Sequence, residues 1–263
     1  MKLTILGSGS LIFKKERMAP AYLVETDSGE SFLFDCGATA LQRFVDINFD
    51  YANLDHIVIT HPHADHLGGL ISLIFTIALK SIYASYLGGE KRDKPLFLHG
   101  YMGLADDYRT LRKMMYAEPD EGFEIKIFEY KNKEAKFENF VMKTCLVPHV
   151  EKYYKNKSIA VRFEADNKSM AYSGDCKYNE QLIALSSKAD LALFECSSLE
   201  KGLSGSTHLT PEGAGKIAQE AEVKKLVLAH HYDVKPSAQI LQEVKKYFSG
   251  EIILAKDLME IDI

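Results

Sequence analysis

Six consecutive residues, His61-Pro62-His63-Ala64-Asp65-His66, carry four side chains able to bind a metal ion, and they follow directly on the apolar run Ile57-Val58-Ile59-Thr60. The chain has 9 histidines in all, so three in one hexapeptide is far more than a solvated loop needs. His61 and His63 are two apart, so on an extended segment both imidazoles face the same way, and Pro62 biases His61 toward that conformation. Asp65 and His66 come where the pattern turns helical and therefore address a second position a short distance away. Neutral imidazoles and a carboxylate form a borderline ligand set that favours Zn²⁺ and also suits Mn²⁺ or Fe.

Three further ligand types stand where β-type runs end: His149 after Cys145-Leu146-Val147-Pro148, Asp175 after Tyr172-Ser173-Gly174, and His230 after Leu226-Val227-Leu228-Ala229. A single histidine after a strand is ordinarily structural. Beside the hexapeptide, however, the three form a set, because strand ends on one edge of a sheet can converge. His231 competes with His230 for the last position.

The surrounding pattern predicts strands over about 2–6, 21–26, 31–35, 56–60, 95–99, 124–130 and 137–147, with helices near 38–45, 66–79 and 104–116. The second half predicts strands near 158–164, 168–173, 191–194, 225–229, 252–255 and 259–262, and helices near 178–186 and 236–247. Thr210 caps a further helix opened by Pro211. Strands with interleaved helices suit two sheets packed face to face with helices outside. No linker-like tract divides the 263 residues, so one domain, 1–263, is expected.

Four well-separated cysteines (Cys36, Cys145, Cys176, Cys196) make neither a disulfide framework nor a CxxC pair, which fits a reducing cytoplasm and buried apolar filler. The longest uncharged run, Leu67 to Leu79, is shorter than the roughly 20 residues that cross a bilayer, so a buried helix rather than a membrane span is expected. A formal net charge of −5 argues against a large nucleic-acid footprint. His56 and His99 have no metal-like spacing. Ile82 to Gly89, with Tyr101 and Met102, either wall a pocket or simply pack.

The ligand types and their order resemble the metallo-β-lactamase superfamily, from Leu6-Gly7-Ser8-Gly9-Ser10 and Phe34-Asp35-Cys36-Gly37 through to Leu228-Ala229-His230. The resemblance implies an α+β fold, a four-layer αββα sandwich with two divalent ions, Zn first among them, at one edge of its sheets. It implies that His61, His63 and His149 hold one ion, that Asp65, His66 and His230 hold the other, and that Asp175 bridges them. Asp35 would support a ligand or fix a loop. Ser173-Gly174-Asp175, Phe194-Glu195-Cys196 and Ser206-Thr207-His208-Leu209-Thr210 resemble the ribonuclease Z-like and phosphodiesterase branch. There, Glu195 and His208 would protonate the leaving group while Asp65 also orients the nucleophile; the plainer role for Glu195 is to fix a ligand imidazole.

One departure matters. Bacterial ribonuclease Z carries a long tRNA-gripping arm between the equivalents of His149 and Asp175, and here those residues are only 26 positions apart. The expected enzyme is thus a two-metal hydrolase, a phosphodiesterase for a small-molecule or short nucleotide substrate rather than a large nucleic acid. Armless phosphodiesterases acting on cyclic nucleotides or cyclic sugar phosphates are the natural comparison, and a homo-oligomer is compatible with the sequence. A lactonase or thioesterase on the same metals, or a ribonuclease Z-like endonuclease, are the alternatives. A non-catalytic scaffold would not need seven ligands, and a flavin-linked diiron protein would carry Glu for the second motif His.

Overall fold

The computed structural model describes every residue except 13, 116–120, 151, 153–154, 199, 204, 206 and 233–235, so Ser206 of the histidine motif lies outside the described residues. The first half runs β1 (Lys2–Gly7), β2 (Ala21–Glu25), β3 (Ser31–Phe34), α1 (Ala40–Asp46), β4 (His56–Ile59), α2 (Ala64–Leu67), α3 (Leu70–Ile82), α4 (Ala84–Leu87), β5 (Leu96–Tyr101), α5 (Leu104–Met115) and β6 (Ile125–Tyr130). The second half runs β7 (Lys133–Lys136), β8 (Val141–Leu146), β9 (Ile159–Ala165), β10 (Lys168–Tyr172), α6 (Glu180–Ser186), β11 (Leu191–Glu195), α7 (Pro211–Glu220), β12 (Lys225–Ala229), α8 (Ser237–Val244), β13 (Glu251–Leu254) and β14 (Glu260–Asp262).

Among the described residues the strands form two seven-stranded sheets, ordered β14-β1-β2-β3-β4-β5-β6 and β13-β12-β11-β10-β9-β8-β7. Each half of the chain builds one sheet, and β14 returns to close the edge of the first beside β1. In the second sheet the period of two separates two cores. Ile159, Val161, Phe163, Met170, Tyr172, Leu191, Leu193, Val227 and Ala229 face the first sheet. Their neighbours Ala160, Ala171, Ala192, Phe194, Leu226 and Leu228 face the other way, onto α6, α7 and α8. Buried Phe44 of α1 and Leu70, Leu73, Ile74 and Ile77 of α3 cover the opposite face of the first sheet. The result is the αββα order, an α+β sandwich of the metallo-β-lactamase type.

Aromatic rings lock the sheets together: Phe163 packs on Phe32 with centroids 4.5 Å apart, and Tyr172 sits edge-on to Tyr22 at 5.2 Å. Truncating a buried ring such as Phe163 to alanine would cost about 3–5 kcal/mol.

Two predicted elements differ in detail. The helix expected over 66–79 is interrupted, because Gly68 and Gly69 separate α2 from α3. A Cβ on Gly69 would lie 2.3 Å from the Gly37 carbonyl, so only glycine lets the loop after β3 approach so closely. The strand expected over 137–147 is shorter, β8 at Val141–Leu146, since the backbone turns between Phe137 and Phe140, and β7 just before that turn is not among the expected strands. The span Ala64–Ile82 is long and apolar enough to cross a membrane by length and composition, but 61% of it is buried and it packs as a core helix.

Candidate metal centre

β4 ends at Ile59, and His61 and His63 follow in the open segment before α2 delivers Asp65 and His66. From the second sheet, β8 leads to His149, β10 to Asp175, β11 to Glu195 and β12 to His230. The parallel register pairs Glu195 with Ala229 and Tyr172 with Leu193, so the strand ends on this edge lie side by side. The backbone turns sharply at these exits. Asp35, Gly174 and His230 have φ of 54, 54 and 51°, a left-handed conformation that side-chain-bearing residues rarely adopt outside functional or turn positions.

Two groups result. His61, His63, His149 and Asp175 form one, and Asp65, His66 and His230 the other; within each, the ligand atoms lie within 4.8 Å of one another. His63 Nδ1 is 3.1 Å from His61 Nε2 and 3.2 Å from His149 Nε2. In the second group His230 Nε2 is 3.2 Å from both His66 Nε2 and Asp65 Oδ2. Asp175 lies between: its Oδ1 is 3.4 Å from the Nε2 atoms of His66 and His230, and its Oδ2 is 3.7 and 3.9 Å from those of His61 and His149. His231, buried next door, joins neither group among the described residues.

The surrounding hydrogen bonds decide which ring nitrogen carries the proton. Thr60 Oγ donates to Asp35, which leaves it to accept from His61 Nδ1–H at 3.1 Å. His149 Nδ1–H donates to the Thr207 carbonyl at 3.0 Å. Ser197 Oγ donates to the His230 carbonyl and so accepts from His230 Nδ1–H at 2.6 Å. His66 Nδ1–H donates to Asp35 Oδ2 at 2.7 Å. Asp35 also accepts from Tyr172 Oη at 2.5 Å and from the Thr60 amide at 2.7 Å. These partners direct the Nε2 atoms of His61, His66, His149 and His230 inward, the arrangement that orients imidazoles toward a cation.

Burial pushes His61 and His149 below the ordinary histidine range and His63 to about 4, which keeps those rings neutral. Burial alone would raise Asp175, but the imidazoles of His230 and His66 outweigh it and hold the carboxyl well below its usual range. His66 moves the other way: burial would lower it, yet Asp175 and Asp35 raise it well above normal. The proton it then holds at Nε2 stands where a cation would, and metal binding releases such a proton. Asp175 Oδ1 is buried and makes no hydrogen bond among the described residues. An orphaned carboxylate oxygen between two sets of inward lone pairs fits a pair of divalent cations.

His208 stands beside the bridge. Its Nδ1 is 3.0 and 3.1 Å from the two Glu195 carboxylate oxygens and 3.7 Å from Asp175 Oδ2. Burial would lower His208, but Glu195 and Asp175 raise it to about 9, so the ring is an imidazolium at neutral pH. Glu195 also accepts from the amides of Cys176 and Ser197, and among the described residues His208 is the imidazole it hydrogen-bonds.

Sequence reading did not find Thr60, Tyr172, Ser197 and the Thr207 carbonyl, whose roles depend on long-range packing; Thr60, adjoining His61, had a local signal. Burial raises the Cys36 and Cys176 thiols far above the ordinary range and Cys145 to about 12, and no cysteine enters a metal-capable group among the described residues. His56 and His99 are core residues, joined Nδ1 to Nε2 at 3.1 Å, with His99 Nδ1 2.8 Å from Tyr130 Oη.

Comparison with known proteins finds relatives over nearly the whole chain. The family model described as anti-Pycsar protein Apyc1 matches residues 1–251. The ribonuclease Z of Archaeoglobus fulgidus is 26% identical over 314 aligned positions, covering 100% of this chain and 97% of that protein. The probable metallo-hydrolase YhfI of Bacillus subtilis is 27% identical, with 97% of each chain covered. Its crystal structure superposes with a TM-score of 0.80 at 23% identity, covering 99% of this chain and 98% of that one. The short form of human tRNase Z gives 0.78 at 23% identity, covering 100% and 99%.

Proposed function

The chain belongs to the family described as anti-Pycsar protein Apyc1, within the ribonuclease Z-like branch of the metallo-β-lactamase superfamily, and from that premise we propose that this metal-dependent hydrolase is a two-metal phosphodiesterase for small phosphodiesters. The observation that carries the reading is the hydrogen bond between His208 and Glu195, beside the candidate bridging Asp175. An alkoxide leaving group needs a proton, and a positioned acid supplies it.

His61, His63 and His149 would hold one ion, Asp65, His66 and His230 the other, and Asp175 both, with Zn²⁺ the metal best suited to the donors. When bound, such ions would supply an activated water near neutral pH and offset the charge that builds on the phosphoryl oxygens. Asp65 would also orient the attacking water. His208 gives its proton to the departing oxygen, and Glu195 stabilises the imidazolium until then.

Cyclic nucleotides and cyclic sugar phosphates head the substrate classes. Two observations favour small substrates over a gripped tRNA. An alignment of 314 positions against 263 residues leaves about 51 positions of the archaeal ribonuclease Z without a counterpart here. The stretch between His149 and Asp175 is largely taken up by β9 and β10, which leaves no room for an arm. We further take the chain as one domain, acting in a reducing cytoplasm that suits its free cysteines.

The test is a Zn²⁺-loaded preparation assayed on a chromogenic phosphodiester, a cyclic nucleotide, a lactone panel and an RNA with a 3′ extension. Turnover of the two diesters supports the reading. Turnover of lactones alone, or of the RNA alone, replaces it with a carbonyl hydrolase or an endonuclease.

A further inference from the structure

A second concavity adjoins the candidate metal centre. His63, Leu67 and Ile71 on one side and Leu111 and Met115 of α5 on the other line a cavity of about 320 Å³. His63 belongs to both spaces, because its Nδ1 faces His61 and His149 while its ring walls the cavity. No Asp, Glu, Lys or Arg is among the described lining residues. Three larger cavities, of about 360, 500 and 680 Å³, include no candidate ligand among their described lining residues, and the two largest are rich in charged side chains; the largest takes in Leu87, Gly88 and Gly89.

This lining decides what can bind. A phosphoryl oxygen or a sugar hydroxyl would give up water here and find no charged partner in return. An uncharged flat ring gains on both faces, from the aliphatic chains of Leu67 and Leu111 and from the Met115 thioether, which packs favourably on aromatic edges. The volume is at the small end of the range for ligand pockets, enough for a ring system and too little for a folded chain. Met115 is 58% exposed, so apolar surface stands open beside the metal residues.

We propose that this cavity is the subsite for the heterocyclic base of a nucleotide substrate, and that Leu111 and Met115 determine specificity for it. The proposal rests on the phosphodiesterase reading above. The phosphodiester would lie at the metal residues and the base across His63, with the sugar spanning the imidazole. The enzyme then distinguishes a nucleotide from a base-free sugar phosphate.

The experiment compares kcat/KM of the Zn²⁺-loaded enzyme for a cyclic nucleoside monophosphate and for a base-free cyclic ribose phosphate. The expected preference for the nucleotide is at least about ten-fold, expressed in KM, the scale of one well-filled apolar contact. Leu111→Trp, which fills the cavity, and Met115→Glu, which places charge at an exposed position that folding tolerates, should each bring that ratio toward one. A wild-type ratio near one, or a ratio that survives both substitutions, overturns the subsite while leaving the phosphodiesterase reading intact. Hydrolysis of lactones with neither phosphodiester turned over overturns both.

Discussion

Glu195 holds Nδ1 of His208 with both carboxylate oxygens, at 3.0 and 3.1 Å, which leaves Nε2 of the ring to meet a leaving group. His208→Ala should therefore retain its metals yet lose roughly 10²- to 10⁴-fold in turnover of a phosphodiester with a poor leaving group, the usual scale for a general acid. With nitrophenolate, which departs unprotonated, the loss should be much smaller. Equal losses on both substrates would remove the acid from the mechanism.

The same pair sets the alkaline side of the pH profile. His208 is raised to about 9 and works as the protonated form, so activity is present below that value and lost as pH rises through it. Cations bound beside Asp175 repel the imidazolium and pull the value down, so the alkaline limb should fall no higher than about 9. Glu195→Gln removes the neighbouring charge that raises His208 most, and its limb should move toward the ordinary histidine value near 6.5. An unmoved limb would show that another group controls it.

Elemental analysis should find two ions per chain in the wild type after saturation with Zn²⁺ and dialysis, because seven ligand residues exceed what one four-coordinate ion uses. Asp175→Ala should lose both. His230→Ala should lose one, whereas His231→Ala should lose none. The reverse result for the neighbouring histidines would reassign the ligand.

Asp35 touches no candidate ion position but accepts from His66 Nδ1, Tyr172 Oη and the Thr60 amide and hydroxyl. Asp35→Asn weakens the acceptor that orients His66, and the expected cost is about 10- to 100-fold in affinity for the second ion. Competition titration with a chromophoric chelator reads the two sites separately, and equal weakening of both would indicate a general loss of packing.

His56 and His99 give a prediction independent of metal. Burial pushes both to about 3, against about 6.5 in an unfolded chain. Because the unfolded state binds the protons first, these groups cost stability as pH falls from about 6.5 toward 3, and they contribute nothing above that window. Urea unfolding of chelator-treated protein should show His99→Gln with a shallower acid dependence, by about 1.4 kcal/mol per pH unit for the missing proton. An identical slope would mean that the histidine pair is not what acid attacks.

Much of this architecture could be read along the chain because its signals are local. The run Lys225 to Ala229 has no turn former inside it and is a strand over the same residues, and Thr210 caps α7 by accepting from the Gly213 amide as Pro211 leads one to expect. The missed elements lack such signals. β7 is Lys-Glu-Ala-Lys, a charged edge strand whose only cue is the β8 neighbour that pairs with it. The residues that aim the imidazoles were equally illegible. Ser197 and His230 are 33 positions apart, and nothing in a serine announces which ring it will face. The candidate ligands could be named because their spacing is short or their strands are apolar, whereas their orientation is a property of the packed sandwich.

His61, His63, Asp65 and His66 come from the half of the chain that builds the first sheet, and His149, Asp175 and His230 from the half that builds the second. An ion gripped by His61 and His149 at once is a rivet between the halves. Anything that binds only the folded state stabilises it by mass action, about 2.7 kcal/mol at a hundred times the dissociation constant. Cellular supply of the ion would then govern more than the rate of hydrolysis: chains made when the ion is scarce would open between the sheets more often, and proteases would shorten their lifetime.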